Sequence, residues 1–129
     1  MKIYEILASV DETKPNTYDD SMKIMWLSEL DGQIFRDVIS THEMPITEEL
    51  DDDDLKEFRG YTDDDINSEL IASFPHADMY RAYLYAKIDF ANGESERYIN
   101  SSQMFNAAYK NFVADYNRSN MPKSRHLRF

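Results

Sequence analysis

The chain has 129 residues, 42% of them apolar, and a formal charge of −11. This length indicates one domain, large enough to bury about two thirds of the surface that the unfolded chain exposes. The charge argues against a general nucleic-acid binder, because phosphate contacts need clustered Lys and Arg. The chain has no cysteine, which excludes a disulfide framework and a thiolate metal site. No apolar run reaches the ~18–20 residues of a membrane span, so we expect an unexported protein that does not enter a membrane.

Two helices are predicted in the N-terminal part. The first covers residues 2–11, where apolar residues recur on one face: Ile3, Ile6, Leu7 and Val10. The second is expected from about Thr17 to about Thr41, and its buried line consists of Leu27, Leu30, Ile34 and Val38. Trp26 adjoins this line and is predicted to be a core residue. Gly32 costs about 1 kcal/mol relative to Ala in a helix, which favours a close crossing by another helix over a tolerated weakness.

An acidic segment follows the second helix. Residues 43–69 hold 12 acidic residues against Lys56 and Arg59. The run Asp51–Asp54 is expected to stay mobile and solvated, because its charges repel one another. Phe58–Tyr61 and Leu70–Ala72 mix apolar and small residues and are interpreted as extended strands of a short arm or β-hairpin. The acidic stretch Thr62–Asp65 would form the turn between them.

The residues from His76 to Arg118 are predicted to form a helix pair. In its second half, aromatic residues and one serine recur at steps of four and three: Tyr98, Ser102, Phe105, Tyr109, Phe112 and Tyr116. Asn92 and Gly93 suit the C-terminus of the first helix of the pair. We expect the aromatic faces of the two helices to pack on each other and the N-terminal helices to pack onto the pair.

These elements predict a mainly α protein with a four-helix bundle-like domain over residues 1–118. Residues 43–75 would be an acidic loop or extended arm between the second and third helices. Residues 119–129 form a basic tail without any acidic residue. That tail is either a frayed terminus or a docking peptide for an acidic or grooved partner.

Sequence signatures of catalysis and metal binding are not found. Neither Asp51–Asp54 nor Asp63–Asp65 continues into the glycine and glutamate pattern of a calcium-binding EF-hand loop. The three histidines are scattered, and the three glycines are too far apart for a phosphate-binding loop. No cysteine is available as a nucleophile, and no serine lies in a nucleophile-elbow context. We therefore expect no catalytic residue, no cofactor and no metal, and a protein that is not an enzyme.

Several stretches together resemble a group of small phage proteins. They are, in chain order, Trp26–Ile34, Gly60–Tyr61, Tyr83–Leu84, Ile88–Glu94, Arg97–Tyr98, Met104–Tyr109 and Tyr116–Pro122. They are similar to proteins encoded in the head-morphogenesis regions of tailed phages and prophages of Gram-positive bacteria, a group that includes head–tail connector (adaptor) proteins. The similarity covers most of the chain, whereas residues 44–56 depart from it as an acidic insertion.

The resemblance implies a structural role in the virion neck, with the host cytoplasm as the location before assembly. Connector proteins are mostly helical, form a homo-oligomeric ring under the portal protein, contact neighbouring tail or head-completion proteins, and line the channel for DNA. A single subunit can be a monomer until it assembles. By this analogy, Phe58, Tyr61, Leu70 and Ile71 would contact the neighbouring subunit through an arm. Arg118, Lys123, Arg125 and Arg128 would dock onto the portal.

Two other functions are compatible with a small acidic helical phage protein. A DNA mimic would use its carboxylates to imitate phosphates and block a host DNA-binding protein. The concentration of acidic residues in 43–69 disfavours this, because mimics spread charge along a whole face. A tail-assembly chaperone is the second alternative. None of these functions involves sequence-specific binding of nucleic acid.

Overall fold

A computed structural model describes residues 1–39 and 58–119, and these ranges are mainly helical. They contain four α-helices, namely α1 (Ile3–Thr13), α2 (Asp20–Asp37), α3 (Ala77–Ala91) and α4 (Ser95–Ser119). A short 3₁₀ turn spans Asp63–Asp65. No strand occurs in either range, where Lys2 and Glu69 form an isolated backbone bridge. The predicted mainly α, four-helix bundle-like fold is confirmed.

Helix α3 lies at the centre of the molecule. It packs against α1 and α2 on one side and along the length of α4 on the other. The core is formed by the apolar faces of α1, α2 and α3 together with Leu70 and Ala72, and Trp26 is buried within it as predicted. Of the 25 residues in α4, the buried ones are Ser101 and Phe112. The last helix is therefore held mainly by α3 and leaves most of its surface to solvent.

The helices begin and end at residues whose side chains or backbone conformations suit a cap or a turn. The Asp19 side chain caps α2 by accepting a hydrogen bond from the Met22 N–H at 3.1 Å, so this helix starts after Asp19 rather than near Thr17. It ends at Asp37, about one turn before the predicted end at Thr41. The break between α3 and α4 lies at Gly93, which has a φ of +74°. Glycine adopts this left-handed conformation without the penalty that a Cβ brings.

Residues 58–72 (the 58–72 segment), which were expected to hold the strands of a short arm or β-hairpin, contain no strand. The two ends of this segment do not pair with each other; Leu70 N–H donates to the Met1 carbonyl at 3.0 Å, and Ile71 N–H donates to the Asp31 carboxylate. The predicted turn at Thr62–Asp65 does form, as the 3₁₀ turn with Asp65 accepting from the Thr62 N–H. The apolar side chains of this segment pack against the helices and not within a sheet.

Gly32 also has a different neighbour from the one predicted. A Cβ at this position would lie 3.6 Å from the ring of Phe58, so the group close to α2 here is an aromatic side chain and not a crossing helix. The run Asp51–Asp54, together with the other residues of 40–57, lies outside the described residues. So do residues 120–129, including Lys123, Arg125 and Arg128.

Candidate functional site

A buried carboxylate fixes the 58–72 segment on the helices. Asp31 of α2 is fully buried. Its Oδ1 accepts a hydrogen bond from the Tyr80 hydroxyl at 2.7 Å, and its Oδ2 accepts from the Tyr61 hydroxyl and, at 3.0 Å, from the Ile71 N–H. The Tyr80 oxygen in turn accepts from the Ala72 N–H at 2.8 Å. This network joins α2, α3 and both ends of the segment.

Burial is the largest cause of the pKa shifts of these three groups. Burial raises the pKa of Asp31, and the hydrogen bonds from Tyr61, Ile71 and Tyr80 partly offset that rise. Burial and the nearby Asp31 charge raise the pKa of Tyr61 and of Tyr80 well above the ordinary value for tyrosine. Both phenols therefore stay protonated and donate to Asp31.

Ser28 and Gly60 hold the other end of the same segment. The Ser28 hydroxyl oxygen accepts a hydrogen bond from the Tyr61 N–H at 2.9 Å. Gly60 has a φ of +85°, and a Cβ there would lie 2.6 Å from the Ser28 Oγ. This position requires glycine both for its backbone conformation and for the close approach to α2.

A second buried carboxylate joins the two helices of the pair to α1. Asp89 of α3 is fully buried, and its Oδ2 accepts from the Ser101 hydroxyl of α4 at 2.8 Å. Its Oδ1 lies 2.9 Å from Lys14 Nζ, an ion pair without the alignment of a hydrogen bond. The Lys14 ammonium also lies 5.6 Å from the ring centroid of Tyr85. These contacts anchor the C-terminal end of α1 onto the helix pair.

The structure brings together the four residues predicted to contact a neighbouring subunit, but they pack against helices of the same chain. Leu70 is only 4% exposed and belongs to the core. The Phe58 ring stacks on Phe35 with centroids 6.4 Å apart and meets the ring of Tyr61 edge-on at 5.1 Å. Ile71 is partly buried against the core, and its N–H binds Asp31. Their predicted role between copies stays a prediction.

Arg118 is the one predicted portal-docking residue within the described ranges. It lies in the last turn of α4, where it is exposed and forms an ion pair with Asp115. Asp115 Oδ2 also lies 3.1 Å from Nε2 of His76, at the start of α3. The other three predicted docking residues lie in the part of the chain that is not described.

An open groove runs between α3 and α4 beside the predicted aromatic stripe. It has a volume of about 410 Å³. Its lining, which we call the aromatic groove, consists of Tyr83, Ala86, Lys87, Phe90, Tyr98, Ser102, Phe105 and Asn106. The ring pairs Tyr83–Phe105 and Phe90–Tyr98 cross between the helices with centroids 5.2 and 5.4 Å apart. The aromatic faces of α3 and α4 do pack on each other as predicted. These ring pairs, however, line an open groove at the edge of the contact between the two helices and do not form a fully buried core.

The loop before α3 carries a second exposed aromatic group. Phe74 is 87% exposed, and the neighbouring residues Ser73 and Pro75 are exposed and uncharged. Sequence reasoning missed Phe74, Asp31 and Asp89. A signal existed for Asp31, because it follows Leu27 by four residues and therefore lies on the apolar face of α2.

In residues 1–39 and 58–119, no three His, Asp or Glu side chains converge in a way that could hold a metal ion. Within the same ranges, no helix combines the length and the apolar character needed to cross a bilayer.

Comparison with known proteins gives no relative for this chain: no protein-family model, no curated protein and no solved structure matches it.

Proposed function

We propose that the protein is a head–tail connector (adaptor) of a tailed phage or prophage. Copies of the chain would form a ring between the portal and the tail, in the virion neck, and line the passage for DNA. Before assembly the subunit would reside in the host cytoplasm. The proposal is supported by the ordered resemblance along the chain and by a helical body that carries two structural carboxylate networks.

The observation that carries the proposal is the division of charge along the chain. Residues 1–76 contain 20 acidic and six basic residues, a net charge of −14. Residues 77–119, the helix pair, contain five acidic and five basic residues and are neutral. Residues 120–129 carry three basic residues and no acidic one. The three parts of the chain differ in net charge, and each is therefore suited to face a different neighbour.

Each of these parts fits one requirement of a connector ring. A negative wall repels phosphate, so DNA passes along it without binding. A neutral surface with exposed aromatic rings allows copies of an acidic protein to approach each other, because charged residues are depleted at the centre of protein interfaces. A basic end provides attraction for an acidic portal surface. The acidic segment within residues 1–76 would therefore face the channel, and the helix pair would face protein.

Portal association tests the role of the basic end. We expect a chain that ends at Ser119 to lose binding to the portal protein of the same phage or prophage, with a helical far-ultraviolet signal close to that of the full chain, since the truncation keeps all four described helices. The measurement is co-purification of the two proteins after co-expression. A full-length control with Lys123, Arg125 and Arg128 changed to Gln separates the contribution of charge from that of chain length. Portal binding by the truncated chain equal to that of the wild type would refute the docking role of these residues.

A further inference from the structure

We draw no further inference here: the strongest candidate, the cavity of about 440 Å³ that lies between the loop before α3 and the last turns of α4 and is lined by Phe74, His76, Phe112 and Asp115 among others, carries nothing, because nothing in the described residues shows what covers it.

Discussion

At the scale of single residues, Asp31 determines how the 58–72 segment lies on the helices. Its carboxylate accepts three hydrogen bonds from donors on two different elements. Removal of this carboxylate would leave the buried Tyr80 hydroxyl and the part-buried Tyr61 hydroxyl and Ile71 N–H without their partner, and an unsatisfied buried donor costs about 1–3 kcal/mol. The stability of the segment therefore depends more on this one side chain than on its own backbone pairing.

We predict that Asp31→Ala lowers the free energy of unfolding by about 3 kcal/mol or more, because Tyr61, Tyr80 and the Ile71 N–H are left unsatisfied. Tyr61→Phe removes one of the three bonds and should cost about a third as much. Urea unfolding followed by circular dichroism measures both. Glu29→Ala, an exposed acidic position on the same helix, is the control and should change stability by less than about 0.5 kcal/mol. An Asp31→Ala protein as stable as this control would refute the structural role of Asp31.

At the scale of elements, the helices could be predicted from sequence and the 58–72 segment could not. Periodic apolar positions identify α1, α2 and the helix pair, because a helix buries one face whatever its partner is. Phe58 and Leu70 are apolar for a different reason: each is packed against helices that are distant in sequence. Short apolar stretches between turn-forming residues look alike in a strand and in a docked loop.

Less of the candidate site than of the helical fold could be predicted from the sequence. The aromatic stripe on α4 was evident from its spacing, but the groove beside it depends on the offset between α3 and α4. Spacing along one helix gives no information on that offset. The exposure of Phe74 likewise depends on the fact that none of the described elements lies over it, which no local pattern encodes.

The docking of the 58–72 segment can be tested at Gly60. We predict that Gly60→Ala destabilises the protein more than Gly93→Ala, by about 1 kcal/mol. Both residues have positive φ and share the penalty of a Cβ in that conformation. At Gly60 the new Cβ would also lie 2.6 Å from Ser28 Oγ, which can move only by losing its hydrogen bond from the Tyr61 N–H. No atom lies within 4 Å of a Cβ at Gly93. Equal losses in thermal and urea unfolding would show that the 58–72 segment does not approach α2 this closely.

At the scale of the whole molecule, the acidic excess and the aromatic groove belong to different parts of the sequence. The N-terminal 76 residues carry the acidic excess, and the neutral helix pair carries the aromatic groove. Helix α4 packs mainly on α3 and leaves Ile99 and Met104 more than half exposed. In the proposed connector, this division would let the acidic part face DNA while the neutral part faces neighbouring copies.

We propose that copies of this chain form a ring on the portal with their acidic parts toward the channel. Electron cryo-microscopy of the chain co-purified with its portal protein tests it most directly. We predict a closed ring coaxial with the portal, in which residues 1–76 supply the channel-facing acidic surface and the helix pairs of adjacent copies are in contact. Isolated copies bound to the outside of the portal, or a ring whose channel is lined by the neutral helix pair, would contradict it.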